Sequence, residues 1–201
     1  MLYNAVVRFL YFWCRITGCK LEGMENLPQN GAIVTMANHS HFWDPFLLAV
    51  AWWPTKRPLH FMAKAEFFEN KLLNKLLHAV GAFPVNRGEA DIASLKTSLT
   101  LLKQEQILGI FPEGTRNKGA SGTLLEFKQG ATMIAYKTKA TVVPVALIDA
   151  GNLFAFWRAR PKVVIAKPIV FAGESRPAKE VMEEYTEQIK SHIAGMLAEG
   201  Q

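Results

Sequence analysis

The sequence predicts an α/β fold, a layered domain with a largely parallel central sheet flanked by helices. Apolar runs of strand length alternate with stretches of helical period along the whole chain, the pattern that strand–helix–strand units produce. With 201 residues, half of them apolar and 20% charged, the chain is long enough to bury a substantial core and too apolar to stay disordered. The same composition excludes a collagen-like repeat and a coiled coil. No internal repeat or low-complexity run divides it.

Taken in order, Ala32–Ala37 reads as a short buried strand, followed by a loop and a helix over Pro45–Trp53 that Pro54 stops. Leu59–Ala63 is a further strand. Across Glu66–Val80 the residues Phe68, Leu72, Leu73, Leu76 and Val80 keep a helical period and predict one helix with an apolar face. Ala82–Val85 reads as strand, Asp91–Gln106 as helix and Ile107–Phe111 as buried strand. A helix is expected over Phe127–Thr138 and strands over Thr141–Ile148 and Val163–Val170. In the last helix Val181, Tyr185, Ile189, Ile193 and Leu197 recur every four residues.

Net charge is +6, from 23 basic and 17 acidic residues, which suits a polyanionic partner: nucleic acid, an anionic lipid surface or a phosphorylated substrate. Cys14 and Cys19 are too few for a disulfide framework and predict a reducing compartment. Residues 1–14 are almost wholly apolar, yet shorter than the roughly 18–20 residues a spanning helix needs. They also lack the layout of a secretory signal. Phe9, Tyr11, Phe12 and Trp13, mixed with Arg8 and Arg15, suit a helix lying in a membrane interface; a helix packed on the domain's own core is the other reading. A second patch over residues 153–160, with Phe154, Phe156, Trp157, Arg158 and Arg160, repeats that composition and favours a lipid surface. Aromatic residues beside arginines also stack on single-stranded nucleic acid.

Three short segments carry the chemistry. The first, Asn38-His39-Ser40-His41-Phe42-Trp43-Asp44-Pro45, lies between a strand and a helix, where ligand sites of open α/β sheets gather. Five residues apart on one helix, His39 and Asp44 would point about 140° apart, so they meet only if His39 is in the loop. Pro45 supports that break, and Asp44 is then free to cap the helix, to turn its carboxylate back to His39, or both. A carboxylate on one imidazole nitrogen makes the other a general base. His39, His41 and Asp44 offer metal ligands as an alternative, but no further ligand stands at a convincing spacing, and no metal is expected. The second segment, Pro112-Glu113-Gly114-Thr115-Arg116, follows a buried strand: Gly114 lets a ligand approach the backbone, Thr115 offers a hydroxyl and Arg116 a fork of donors for phosphate or carboxylate. The third, Gly81-Ala82-Phe83-Pro84-Val85-Asn86-Arg87, also ends a strand in an arginine. Arg87 and Arg116 are thus candidates to converge on one anion.

In this order, and with Val143-Pro144-Val145 after them, these blocks resemble the glycerolipid acyltransferase family, and within it the 1-acyl-sn-glycerol-3-phosphate (lysophosphatidate) acyltransferases. The match runs over roughly residues 30–150; His41 departs from the serine more usual there. The resemblance implies acyl transfer from a thioester, acyl-CoA or acyl carrier protein, to the sn-2 hydroxyl of lysophosphatidate. It implies no cofactor and no nucleic-acid partner. His39 would be the base and Asp44 its orienter. Arg87 and Arg116 would hold the phosphate, Gly114 and Thr115 would shape its loop, and Glu113 would position the glycerol or an arginine. Lys64, which matches a lysine often found in the family, would add a phosphate contact. Residues 1–25 would form an interfacial segment and residues 26–201 the acyltransferase domain, peripheral or monotopic on the cytoplasmic face of an anionic membrane. Another acceptor (glycerol 3-phosphate or a different lysophospholipid) and a lipid-binding module without catalysis are the competing readings.

Overall fold

In a computed structural model, which describes residues 2–86, 91–119, 122–155, 157–171 and 179–200, one sheet organises the chain. Its strands are β1 (Lys20–Glu22), β2 (Ile33–Ala37), β3 (Leu59–Lys64), β4 (Ala82–Val85), β5 (Ile107–Ile110), β6 (Thr141–Ile148) and β7 (Lys162–Ile165). Their order is β1-β7-β6-β2-β5-β3-β4. All neighbours are parallel except β6 and β7, so β1 and β7 run against the other five. A parallel return needs a crossover, usually helical, and the described residues between β6 and β7 hold only the single 3-10 turn Ala150–Asn152.

Helices cover both faces: α1 (Leu2–Thr17), α2 (Asp44–Trp52), α3 (Lys71–Ala79), α4 (Ile92–Lys103), α5 (Gly130–Thr138) and α6 (Lys179–Glu199). Along β2, Ile33 and Ala37 join a core with α1 and α2, while Val34 and Met36 join a second core with α4, α5 and α6. That division follows from the two-residue period of a strand. In the first core Leu47, Leu48 and Trp52 of α2 are completely buried against Leu59, Ile107 and Val143. In the second, Ile189 and Ile193 of α6 are buried with Leu108 and Val142. Val7, Leu10, Cys14 and Thr17 form the buried stripe of α1, so this helix packs on the domain's own core. Its opposite side, with Phe9, Phe12 and Ile16, is exposed. Gly18 ends α1 with φ of +77°, allowing Cys19 N–H to donate to Cys14 C=O at 2.9 Å, a C-terminal closure that favours glycine.

Three local expectations are corrected. The helix foreseen over residues 66–80 is a 3-10 turn, Ala65–Phe68, followed by α3, because the Asn70 side chain accepts from Leu72 and Leu73 N–H and starts a new helix. Leu72, Leu73 and Leu76 do not enter a core; they are exposed. The helix foreseen from Phe127 starts at Gly130, since Lys128 N–H donates back to Pro112 C=O at 2.8 Å. The last strand stops at Ile165, with only a bridge from Ile169 to Val142 beyond it.

His60 on β3 is half-buried, and burial lowers its pKa, partly offset by a hydrogen bond with the Gly81 backbone. In the unfolded chain its value is about 6.5. The unfolded state therefore takes up this proton first as pH falls, and the stability His60 contributes above that value is lost on acidification through it. Urea midpoints are expected to drop between pH 7 and pH 5, and His60→Gln to flatten that slope relative to the parent protein.

Candidate active site

Adjacent strands β2 and β5 lead to helices on opposite faces of the sheet, α2 on one and α5 on the other. Loops leaving their C-terminal ends therefore diverge, and the crevice between them is where ligands bind in such sheets. The two principal segments identified in the sequence form these loops.

Asp44 is the first residue of α2 and is completely buried. Its carboxylate does not cap α2. Oδ2 instead reaches back into the loop and accepts the N–H groups of Ser40 and His41, both at 2.7 Å, and lies 2.8 Å from His39 Nδ1. Oδ1 is buried with no hydrogen-bond partner among the described residues. The His39 ring stacks on Phe111 at 4.3 Å, which fixes its plane. With Nδ1 committed to Asp44 and the ring held on a phenyl face, Nε2 is the nitrogen left for chemistry.

Three further side chains lock this loop in place. Glu113 is buried; its Oε1 accepts His39 N–H at 2.7 Å and its Oε2 accepts Leu125 N–H at 3.0 Å. Burial pushes its pKa up, while those two donors pull it back. Glu113, expected to position the glycerol or an arginine, thus holds backbone of two loop segments through its two oxygens. Asn117 N–H donates to His39 C=O at 2.6 Å, and the Asn117 side chain braces its own loop through Thr123 and Gly119. Asn38 holds both backbone groups of Leu147 on β6, donating to C=O at 2.9 Å and accepting from N–H at 2.7 Å. The sequence reading missed Asn38 and Asn117; their one signal was an amide at each flank of a charged loop.

The basic residues occupy varied settings. Arg116 and Thr115 are exposed at the mouth of the crevice. Gly114 has φ of +69°, a conformation that favours glycine, and its α-carbon faces the flexible end of the Lys128 side chain. Lys128, another residue not foreseen, thus lies against the Gly114–Arg116 loop. Lys64, expected to add a phosphate contact, has its ammonium 2.6 Å from the Glu66 carboxylate on the surface. Arg87 lies outside the described residues. The His41 ring is engaged elsewhere, with Nδ1 accepting from Trp43 N–H at 3.3 Å and the ring beside Gly151. Among the described residues no three His, Cys, Asp or Glu side chains gather to hold a metal ion. Next to Phe111 and Gly114 a cavity of about 360 Å³ opens, walled by Met62, Leu95, Ile110 and Ile134, with Lys128 and Lys137 on its rim.

The chain belongs to the acyltransferase family, whose sequence profile matches residues 18–148 and so spans both loops of this crevice. It is 35% identical over 178 residues to a 1-acyl-sn-glycerol-3-phosphate acyltransferase of Bacillus subtilis, covering 88% of this chain and 86% of that protein. A protein of the same description from Borreliella burgdorferi is 32% identical over 144 residues, covering 69% of this chain and 55% of its own length. The fold is shared with the crystal structure of the 1-acyl-sn-glycerophosphate (LPA) acyltransferase PlsC from Thermotoga maritima, with a TM-score of 0.70, 22% identity, and coverage of 96% of this chain and 78% of that one.

Glu113→Ala would remove the acceptor of the buried His39 N–H, at about 1–3 kcal/mol, and of the partly buried Leu125 N–H at a smaller cost. A lower urea midpoint and faster hydrogen exchange at the His39 and Leu125 amides are the expected results.

Proposed function

We propose that this chain moves a fatty acyl group from a thioester to the sn-2 hydroxyl of 1-acyl-sn-glycerol 3-phosphate, yielding phosphatidic acid and a free thiol. The observation that carries the reading is the contact of 2.8 Å between His39 Nδ1 and the buried carboxylate of Asp44. Nδ1 keeps its proton toward Asp44, and Nε2 takes the proton of the acceptor hydroxyl as its oxygen bonds to the thioester carbon. The tetrahedral intermediate then expels the thiolate, which recovers the proton from the imidazolium. Asp44 stabilises that imidazolium, and its unbonded Oδ1 leaves negative charge undiluted by further donors. Attack is direct, with no acyl-enzyme: Ser40 stands beside His39, but no G-x-S-x-G elbow surrounds it.

Arg116, on the loop that Lys128 lies against, would hold the acceptor phosphate by charge-assisted hydrogen bonds together with Arg87. The cavity beside Phe111 is suited to an acyl chain, because apolar side chains wall it and its cations stand at the rim. The thioester would come from acyl-CoA or acyl carrier protein.

The acceptor's acyl chain explains the outer surface of α1. Phe9, Phe12 and Ile16 are 60%, 53% and 82% exposed, and the Arg8 guanidinium lies 5.9 Å over the Phe12 ring. Trp13 and Trp43 both pack on Phe154, which joins this helix to the loop bearing His39. No helix among the described residues is long and apolar enough to cross a membrane. A peripheral enzyme on the anionic cytoplasmic leaflet, with α1 in the interface, spares each buried methylene of its substrate about 0.8 kcal/mol of exposure to water.

With purified protein, acyl-CoA and a panel of acceptors, His39→Ala is expected to lower turnover of lysophosphatidate about 10²–10⁴-fold while acceptor binding persists. Arg116→Ala should chiefly raise KM for the acceptor. Transfer to glycerol 3-phosphate but not to lysophosphatidate would sink the acceptor assignment, and an unchanged rate in His39→Ala would sink the mechanism.

A further inference from the structure

α3 has the composition of a buried helix and the environment of an exposed one. None of its nine residues is buried; Leu72 is 79% and Leu76 45% exposed, and Phe67, just before the helix, is exposed as well. Leu77, Asn74 and His78 turn inward, Leu77 against a small core of Phe61, Phe68, Val80 and Ala82, and the His78 ring 5.1 Å from that of Phe68. Leu72 and Leu76 stand one turn apart, and so do Lys71 and Lys75. A row of leucines and a row of lysines therefore run side by side on the open surface.

The charge pattern indicates what covers that surface. α3 contains no Asp or Glu, and among the described residues neither Lys71 nor Lys75 has an ion pair. Of the acids just before it, Glu66 is paired with Lys64, and Glu69 is exposed. Two lysines at i and i+4 repel each other and weaken the helix unless an anionic surface lies against them. A second copy of the chain would meet this face with its own lysines, which disfavours self-association. Tyr3 of α1 packs on the same small core as Leu77, so α1 and α3 lie on one face of the sheet. Both pair apolar outward residues with cations.

We propose that α3 is a second membrane-contact element, inserting Leu72, Leu76 and Phe67 among lipid chains while Lys71 and Lys75 meet anionic headgroups. The inference rests on the reading of the acceptor as a membrane lipid. It extends the contact from α1 to the edge of the sheet formed by β3 and β4. Two separated anchors fix the tilt of the domain on the bilayer, which one helix alone leaves free to roll.

The test uses the full chain and sedimentation with vesicles of equimolar phosphatidylglycerol and phosphatidylcholine, or of phosphatidylcholine alone. Leu72→Gln combined with Leu76→Gln is expected to lower the partition coefficient on both vesicles, by about tenfold on the anionic ones. Lys71→Gln with Lys75→Gln should lower it several-fold on anionic vesicles and leave binding to neutral ones unchanged. Acylation of a short-chain, water-soluble lysophosphatidate should match the parent in both variants, which also shows that they fold. Partition within twofold of the parent for both pairs would overturn the proposal. So would a shift of the lipid-free protein from a larger to a smaller species, which would assign the face to self-association, or a defect confined to acylation from acyl carrier protein. If the parent itself fails to acylate the soluble acceptor, the functional reading falls while the vesicle result still decides the role of α3.

Discussion

The carboxylate of Asp44 is the point on which the site is built. One oxygen gathers two backbone N–H groups and an imidazole nitrogen within 2.8 Å, in a place water does not reach. The backbone donors force the loop to curl around the acid, and the curl brings His39 within reach of a residue five positions later. Without that anion the loop would have no reason to close, and the ring would have no fixed tautomer. Structure and chemistry thus share one charged atom.

A curled loop still needs a wall. It has one because β2 and β5 are neighbours in the sheet, so the segment after β5 runs beside it and supplies Phe111, Glu113 and Asn117 together. Phe111 sets the plane of the ring, Glu113 takes the N–H of His39, and Asn117 gives an N–H to its carbonyl. Buried polar networks favour a single arrangement because each unmatched member is costly in a low-dielectric setting. Here each of these three links joins residues 72 or more positions apart in sequence. The site is therefore a consequence of strand order, and it forms only when the sheet has formed.

The outer surface follows a different logic. Aromatic and leucine side chains that a water-soluble enzyme would bury are turned outward on α1 and α3, each beside arginines or lysines. In the proposed reaction, whose acceptor and product carry acyl chains, such exposure would remove the need to extract a chain into water. The same α1 contributes Val7, Leu10 and Cys14 to the core, so one helix belongs both to the domain and to its surroundings.

Much of this was legible in the chain of letters. The alternation of elements, the break at Pro45 and the His39–Asp44 pairing all follow from local rules of period, proline geometry and reach. Family membership was legible too, through the spacing of NHSHFWD, GAFPVNR and FPEGTR. Periodicity could mark the leucines of α3 as one face but could not tell whether a core or a solvent boundary lay opposite, because that depends on which strand ends the sheet. Likewise Glu113 read as a ligand-facing acid. It became a brace only because folding placed the backbone of His39 and Leu125 on either side of its carboxylate. Local sequence determines what a residue can do; the fold decided which of those uses it has, since hydrogen-bond partners and burial are set by segments far away along the chain.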